Sequence, residues 1–253
     1  MDVIKYLERI GLHCDDIQAP SYDFLKRLQL AHLYSVPYEN LDIISGIPIS
    51  LDLNNLYDKI VVRQRGGFCF ELNCLFDHFL KELGFHTKSY FARFWRDEPG
   101  IPIRRHRVIE VSLNEKAYIC DVGIGAIAPR IPLLLSEGTV QEYFGESYRF
   151  ECDANFGWVL YELRHGEWQK YFSFTTEMQT DDDFNAISYY CATHADSKFN
   201  KNAIVAIKSE TGRKTIDGDQ YKEFIGHELV HSEENLSLER EAYILKHTFG
   251  IVR

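Results

Sequence analysis

The segment Arg65-Gly-Gly-Phe-Cys-Phe-Glu-Leu-Asn73 places a cysteine directly after two glycines and at the start of a helical pattern. The N-terminus of a helix presents free N–H groups and a partial positive charge, which favour a thiolate. The glycines let the backbone approach a substrate closely and take positive φ. We therefore predict that Cys69 is a nucleophile whose pKa is lowered towards neutrality. The alternative is a buried core cysteine, since free cysteine is among the most buried residue types.

A nucleophilic thiol needs an imidazole to take its proton and a carboxylate to orient that imidazole. His106 and Asp121 lie on two consecutive strand patterns. If Asn114 and Glu115 form a two-residue turn, Asp121 pairs with Val108, two residues from His106. Alternate side chains share a face of a strand, so the imidazole and the carboxylate become diagonal neighbours within about 7–8 Å. The spacing predicts a His–Asp pair that can serve the thiol, on condition that the turn sets this register.

Hydrophobic periodicity indicates the elements that must position these residues. Residues 69–83 repeat apolar side chains at helical spacing, and Gly84 is placed to end that helix. Helical patterns also cover residues 2–10, ending at Gly11, and a segment that Ser21 can cap and that ends before Pro37; Ser237 begins a closing helix. After Gly84 the period changes to two, and strands are predicted at 85–94, 107–113, 116–122, 158–163, 168–174, 203–208, 213–216 and 220–225.

Four motifs occur in one order and spacing along the chain. They are Val36-Pro-Tyr-Glu-Asn-Leu41, the segment around Cys69, the strand led by His106, and Tyr118-Ile-Cys-Asp-Val-Gly-Ile-Gly125. Together they resemble the arylamine N-acetyltransferases, and the resemblance covers nearly the whole chain, including the closing helix. It implies an α+β fold with an N-terminal helical bundle, a central β-barrel and a C-terminal α/β lid around a cysteine-protease-like Cys-His-Asp core. The implied units are residues 1–84, 85–190 and 191–253.

The resemblance also implies roles for the three candidate residues. Cys69 would carry the acetyl group as a thioester, His106 would act as the base, and Asp121 would orient His106. The implied donor is acetyl-CoA and the implied acceptor is an arylamine or a hydrazine, with ping-pong kinetics and no metal ion. The thiol chemistry agrees with this, because attack of a thiolate on one thioester produces another and stores the acyl group on the protein.

Candidate binding residues lie beside the catalytic ones. Phe68 adjoins the nucleophile, and Ile124 stands where many family members have an aromatic residue in the acceptor pocket. Backbone N–H groups near Phe68, or at the strand edge near Pro102 and Ile103, could stabilise an oxyanion. We expect Phe68 and Ile124 to contact the acceptor, and Pro102 and Ile103 to contact acetyl-CoA.

Arginines gather around the same motifs and suit an anionic donor, because the planar guanidinium group binds phosphate well. They are Arg63, Arg65, Arg93, Arg96, Arg104, Arg105 and Arg107. Arg65 is expected instead to pair with Glu39 and to brace the loop that bears Cys69.

A competing pattern is His227-Glu-Leu-Val-His231, which on a helix presents two imidazoles to zinc with Glu228 as the base. Its context alternates as a strand does, and on a strand the histidines would lie about 13 Å apart. Ser237 stands where a third zinc-binding histidine would be expected. A zinc hydrolase is therefore the weaker alternative. A cysteine hydrolase or a transglutaminase-like enzyme is the stronger one, since the same order of Cys, His and Asp serves acyl-enzyme hydrolysis.

Composition limits the remaining classes. The 253 residues carry 28 Lys and Arg against 38 Asp and Glu, a net charge of −10 that disfavours nucleic-acid and anionic-membrane binding. The first residues lack an apolar signal region, and no apolar stretch reaches the roughly 20 residues of a membrane span. Six cysteines without C-x-x-C spacing indicate no disulfide framework. We expect a cytoplasmic protein with small-molecule partners, and the number of subunits stays open.

Overall fold

The structure is a computed structural model that describes residues 1–252. Seven α-helices lie in this range: α1 (Val3–Arg9), α2 (Tyr22–Ser35), α3 (Leu41–Ile44), α4 (Leu53–Tyr57), α5 (Cys69–Glu82), α6 (Asp183–Thr193) and α7 (Leu238–Thr248). A π-helical segment, Asp58–Val62, follows α4. No helix in the described range is both long enough and apolar enough to cross a membrane.

The helices predicted from the sequence begin and end at their expected capping residues. Ser21 Oγ accepts the backbone N–H of Phe24 (3.2 Å) at the start of α2, and Ser237 caps α7 in the same way. The helix predicted at Cys69 is α5, and Gly84, with φ of 85°, follows its end. These predictions are confirmed.

Thirteen strands form two antiparallel sheets within the described residues. They are β1 (Tyr38–Glu39), β2 (His86–Phe94), β3 (Arg104–Leu113), β4 (Lys116–Cys120), β5 (Leu133–Leu134), β6 (Gln141–Tyr143), β7 (Glu146–Asp153), β8 (Gly157–Arg164), β9 (Glu167–Phe174), β10 (Ile204–Lys208), β11 (Gly212–Asp217), β12 (Gln220–Ile225) and β13 (Glu228–Glu233). All eight predicted strands are present among them.

The larger sheet has eight strands in the order β5-β4-β3-β2-β9-β8-β7-β6 and curls into a nearly closed barrel. Its two edge strands are joined by one side chain. Gln141 accepts the Leu134 N–H (2.6 Å) and donates to the Leu134 carbonyl (2.9 Å). The interior is filled by aromatic side chains, among them Tyr90, Phe150 and Phe172.

The second sheet has five strands in the order β1-β10-β11-β12-β13. Its first strand comes from the N-terminal part of the chain, where Tyr38 pairs with Ala206 and Glu39 with Val205. Helix α7 packs on this sheet, and its Leu245 belongs to the same buried cluster as Val205. Residues from both ends of the chain thus build one sheet.

The hairpin of β3 and β4 has the register predicted from its turn. Leu113 pairs with Lys116 across a two-residue turn at residues 114–115, both of which have positive φ. This turn geometry matches the twist of the flanking strands. One step beyond the last pair of β4, the register places Asp121 opposite Val108, as predicted.

Several elements lack a strong signal in the sequence. Helices α3 and α4 are one to two turns long and depend on tertiary packing, because such short helices are unstable alone. Strand β7 does carry a signal, the alternation of buried Tyr148 and Phe150, which the strand prediction missed. Helix α6 packs near α5 through Phe184, whose ring lies 5.9 Å from that of Phe70.

Candidate active site

Cys69 is the first residue of α5 and is 4 % exposed. The loop before it packs tightly: a Cβ on Gly66 would lie 2.0 Å from the Pro37 carbonyl oxygen. A Cβ on Gly67 would lie 2.9 Å from the Glu71 Cβ. Neither glycine has positive φ, so that part of the sequence prediction is wrong. The glycines are required because the loop lies directly against Pro37 and α5.

Buried ion pairs hold the same loop. Lys59 Nζ lies 2.8 Å from Glu71 Oε1 and 2.8 Å from Asp42 Oδ2. Arg65 pairs with Glu39 (2.7 Å), as predicted, and also with Asp42 (2.9 Å). These groups are largely withdrawn from water, so removal of one partner would leave an uncompensated charge. The network fixes the position from which α5 starts.

His106 and Asp121 meet as the hairpin register predicts. His106 Nε2 lies 2.6 Å from Asp121 Oδ2, and both side chains are buried. Asp121 Oδ1 accepts the Gly123 N–H (2.8 Å) and Asn73 Nδ2 (3.0 Å). With Nε2 donating to the carboxylate, Nδ1 carries the free lone pair of the ring and is the atom that can accept a proton.

Asn73 ties helix α5 to this hairpin. It is fully buried, one turn after Cys69, and donates to the Arg107 carbonyl (2.7 Å) while accepting the Val122 N–H (2.9 Å). With its bond to Asp121, these contacts hold α5 against β3 and against the segment after β4. This role of Asn73 was not predicted from the sequence. The only indication in the sequence was a polar amide on a helix whose neighbouring positions are core residues.

The loop after β4 lies directly on the first turn of α5. A Cβ on Gly123 would come within 2.8 Å of the Cys69 carbonyl oxygen and 2.9 Å of the Cys69 Cα. Only a residue without a side chain fits there. This close approach brings the thiol and the His106–Asp121 pair to the same place.

Cys69 and His106 line one cavity of about 160 Å³. The Cys69 Sγ lies 3.9 Å from the Arg105 carbonyl oxygen at its wall. Most of the wall is apolar and is formed by Phe94, Ile124, Ile127, Phe199, Ile204 and Ala206. A small aromatic molecule would therefore find an apolar surface directly beside the sulfur.

Burial raises the pKa of the Cys69 thiol well above its usual value, and the nearby Cys191 and Asp121 act in the same direction. The Phe70 N–H lowers the pKa, as predicted for a helix N-terminus, but the loss of water is the larger effect. The predicted lowering towards neutrality is therefore wrong for the thiol by itself. A thiolate here requires a neighbouring base, and His106 shares its cavity.

Of the four predicted binding residues, the structure places one in the lining of the cavity. Ile124 lines the cavity. Phe68 is fully buried and lies behind the wall, with its ring 6.3 Å from that of Phe199. Pro102 and Ile103 precede β3 outside the cavity lining, and Ile103 is 44 % exposed.

Two basic side chains stand at the cavity and share one carboxylate. Arg105 and Lys198 each lie 2.5 Å from Glu98 Oε1, which leaves an excess of positive charge there. Arg105 was predicted from the sequence, whereas Lys198, which is 100 residues from Glu98, was not. Most of the other arginines have their own partners. Arg63 pairs with Asp58, Arg93 donates to the Pro102 carbonyl, Arg96 pairs with Glu162, and Arg107 pairs with Asp77.

The His227 to His231 pattern does not form a helix. Strand β12 ends at Ile225 and β13 begins at Glu228, so His227 lies in the turn between them, and His231 pairs with Glu223 across the sheet. The segment is not helical, as predicted, but the predicted continuous strand is interrupted by this turn, and only His231 lies on a strand. Within residues 1–252, no close group of three potential metal ligands includes either histidine.

Comparison with known proteins agrees with this geometry. A family model described as N-acetyltransferase matches residues 21–252. An arylamine N-acetyltransferase of Mycobacterium tuberculosis is 34% identical over 224 residues, 86% of this chain and 78% of the relative. The solved structure of the Salmonella typhimurium arylamine N-acetyltransferase has a TM-score of 0.93 at 26% identity, covering 99% of this chain and 92% of that one. The Mycobacterium marinum enzyme in complex with CoA has a TM-score of 0.89 at 31% identity, covering 99% and 93%. The chain belongs to the arylamine N-acetyltransferase family.

Proposed function

We propose that this protein transfers the acetyl group of acetyl-CoA to the nitrogen of an arylamine or a hydrazine through a thioester on Cys69, with ping-pong kinetics. The observation that carries the proposal is the 2.6 Å contact of His106 with Asp121, beside a thiol in the same small cavity. Family membership supports the acetyl transfer. The geometry supports the assignment of nucleophile, base and orienting carboxylate in a cysteine-protease-like arrangement.

In the first half-reaction, a bond forms between Cys69 Sγ and the acetyl carbonyl carbon, and the carbon–sulfur bond of acetyl-CoA breaks. The thiol proton passes to His106 Nδ1 and then to the departing CoA sulfur, so CoA leaves as a free thiol. Asp121 stabilises the imidazolium that forms in between. One thioester replaces another, so the step is nearly balanced in free energy.

In the second half-reaction, the acceptor nitrogen attacks the same carbonyl carbon. A carbon–nitrogen bond forms, the bond to Cys69 Sγ breaks, and an amide is released. His106 takes a proton from the attacking nitrogen and returns one to the sulfur. The enzyme is then back in its starting state. Because CoA leaves before the acceptor nitrogen attacks, the order is ping-pong.

The cavity wall supports an aromatic acceptor. An apolar cavity of roughly 150 Å³ is large enough to hold a benzene ring, and the cavity here measures about 160 Å³. Phe94 and Phe199 can contact the faces or edges of such a ring. Ile124, which lines the cavity, is proposed to contact the acceptor, and Phe68 is proposed to act from behind the wall.

The charge at the cavity supports an anionic donor. Acetyl-CoA carries phosphate groups, and Arg105 with Lys198 outnumbers Glu98 there. Pro102 and Ile103, just before β3, stay predicted contacts of the donor. The M. marinum relative was solved with CoA, in agreement with this donor class.

The proposed steps run through a thiol, an imidazole and a carboxylate, so we infer that acyl transfer itself needs no metal ion. We also propose a cytoplasmic location, since all six cysteines are free thiols, and a reducing compartment keeps cysteines in that form.

Residues 1–84, 85–190 and 191–253 are proposed as the helical bundle, the barrel and the lid. Ile204 and Ala206 of β10 support the lid, because they line the cavity.

The test is intact-mass spectrometry of the protein after incubation with acetyl-CoA. We expect a gain of one acetyl group per chain, located at Cys69 by digestion, and loss of that acetyl group when an arylamine is added. Acetylarylamine should appear in equal amount. Loss of the acetyl group at the same rate without any amine would indicate a hydrolase instead.

The matched control is a second cysteine. Cys69→Ser should show no thioester, whereas Cys152→Ser, which changes an exposed thiol, should be acetylated as the unchanged protein is. Acetylation of Cys69→Ser at another cysteine, at an undiminished rate, would remove Cys69 from the mechanism.

A further inference from the structure

A second cluster of reactive side chains lies apart from the cavity. Cys74 Sγ, a ring nitrogen of His78 and a carboxylate oxygen of Asp181 all lie within 4.8 Å of one another. In residues 1–252 this is the only group of three or more Cys, His, Asp and Glu side chains with such spacing. None of the three lines the cavity that contains Cys69. The proposed acetyl transfer therefore gives this cluster no role.

The cluster is built from one face of α5 and the turn before α6. Cys74 and His78 are four residues apart in α5, so their side chains lie on the same side of the helix. Asp181 Oδ2 lies 2.7 Å from His78 Nε2, and Asp181 Oδ1 lies 3.9 Å from Cys74 Sγ. Three potential ligand atoms thus converge from segments 103 residues apart.

The separations of these atoms suit a tetrahedral ion. Zinc binds sulfur at about 2.3 Å, imidazole nitrogen at about 2.0–2.1 Å and carboxylate oxygen at about 2.0–2.2 Å, which places neighbouring ligand atoms about 3.5 Å apart. Asp181 Oδ2 lies 2.7 Å from His78 Nε2, and the three ligand atoms all lie within 4.8 Å of one another, which is close to that spacing. Small side-chain rotations would be sufficient to bring the three ligand atoms to bonding distance of one ion. Sulfur, nitrogen and oxygen together favour zinc over calcium or magnesium, which take oxygen ligands.

The surroundings would hold the carboxylate in place. The buried Arg107 guanidinium lies 2.9 Å from Asp181 Oδ1 and 2.7 Å from Asp77 Oδ2. This leaves Asp181 Oδ2, on the side of His78, for an ion. Such an outer partner orients a metal ligand. Lys81 also pairs with Asp77, at 3.0 Å, so Asp77 has its own partners beside the cluster.

Solvent reaches one side of the cluster. The side chains of His78 and Asp181 are 28% and 40% exposed, whereas Cys74 is buried. An ion can therefore enter from water, and its fourth position stays open to a water molecule. The sulfur lies on the protein side, where it would be protected from oxidation.

We propose that Cys74, His78 and Asp181 bind one Zn²⁺ ion, with water as the fourth ligand. The ion lies outside the acetyl-transfer site and joins α5, which begins at Cys69, to the turn that starts α6. It is a stabilising site, and acetyl transfer does not depend on it chemically.

The test uses the full chain with Cys14→Ser, Cys69→Ala and Cys152→Ser, so that neither the catalytic thiol nor the exposed thiols bind metal. Zn²⁺ titration against a chromogenic chelator should give one ion per chain. Co²⁺ in place of Zn²⁺ should give a sulfur-to-cobalt charge-transfer band. In this background, Cys74→Ser should abolish the band, and His78→Gln should weaken the Zn²⁺ affinity by more than about 100-fold, because loss of even an outer partner costs 10–100-fold.

The matched control is His231→Gln. His231 also contacts a carboxylate, Glu233 Oε1 at 3.0 Å, but no cysteine stands beside them. This variant should bind Zn²⁺ as the background does. Thermal unfolding shows whether each variant is folded. If Cys74→Ser does not fold, His78→Gln alone tests the site. No binding by the background protein, or equal affinity in His78→Gln and His231→Gln, would overturn the proposal.

Discussion

The direction of one hydrogen bond at His106 decides what the proposed base can do. An ionised Asp121 can only accept, so in this contact Nε2 is the donor, and Nδ1 of the neutral ring can accept a proton from the thiol. The opposite tautomer would present an N–H to the cavity. Since burial raises the pKa of Cys69, the thiol cannot lose its proton readily without that acceptor. We therefore expect the proposed nucleophile and base to work only as a pair.

We expect Asp121→Asn to lower the rate of Cys69 acetylation by about 1000-fold or more. A carboxamide of the same size can donate to Nε2, which places the ring proton on Nδ1, where it blocks the transfer. Single-turnover acetylation by acetyl-CoA, followed by rapid quenching, measures the rate. The thermal unfolding temperature of the variant serves as the control for folding. A rate within about tenfold of the original would show that Asp121 does not set the tautomer.

His106→Ala should move the alkylation of Cys69 by iodoacetamide to higher pH. Burial raises the pKa of the thiol, so without the imidazole the reactive thiolate forms only as the pH approaches that raised value. The measurement is the alkylation rate against pH in a Cys14→Ser/Cys152→Ser background. His194→Ala, which changes a partly exposed histidine, is the comparison variant. Superimposable profiles for His106→Ala and His194→Ala would contradict the proposed thiol–imidazole coupling.

The helix α5 and the hairpin of β3 and β4 could both be predicted, because their signals are local. An apolar repeat and Gly84 define the helix, and a two-residue turn sets the strand register. The contact between helix and hairpin could not be predicted in this way. Asn73 and Gly123 are important because of the contacts they make with each other's segments. Helix propensity and hydrophobic periodicity do not predict a contact between residues about 50 positions apart.

Gly123→Ala, at the contact between helix and hairpin, should lower both the stability of the protein and the rate of Cys69 acetylation. The new Cβ would lie 2.6 Å from Asn73 Nδ2 and 2.8 Å from the Cys69 carbonyl oxygen, so helix and hairpin must separate. Overpacking of this kind typically destabilises by about 1–3 kcal/mol. Chemical denaturation and single-turnover acetylation measure the two effects. Gly100→Ala, where no atom lies within 4 Å of the added Cβ, should change neither.

The whole molecule is held together by contacts between distant parts of the chain. Asn40 is buried beside β1 and donates to the Phe199 carbonyl (2.7 Å) and the Asn202 carbonyl (2.8 Å). Its Oδ1 accepts the Ile204 N–H (2.7 Å). One N-terminal side chain therefore fixes the segment that supplies Phe199 and Ile204 to the cavity wall.

Asn40→Ala should lower the free energy of unfolding by about 2 kcal/mol or more, because it leaves buried backbone groups without partners. The same change should raise KM for the acceptor more than it slows acetylation by acetyl-CoA, since it loosens one wall and not the nucleophile. Urea denaturation and steady-state kinetics give the two values. Asn185→Ala on the exposed side of α6, whose one side-chain bond is 3.4 Å long, should affect neither. An unchanged KM in Asn40→Ala would show that the segment is positioned by other contacts.

These long-range contacts mark the limit of what the sequence could predict about the site. Cys69, His106 and Asp121 stand in motifs with local spacing, so they could be named as candidates. Lys198 and Phe199 could not, because they reach the cavity from a segment with no pattern of its own. Cys74 also looked like a core residue from its position in α5, and its neighbour Asp181 is 107 residues away.

The short turn between β3 and β4 has a consequence for how this protein can tolerate insertions. Surface loops usually accept an added residue at little loss of stability. Here an additional residue at positions 114–115 would slide β4 along its partner and turn Asp121 to the opposite face of the sheet. Nothing would then orient the imidazole of His106, and the buried Ile119 and Cys120 would change faces as well. This loop must therefore preserve its length as well as the positive φ of its two residues.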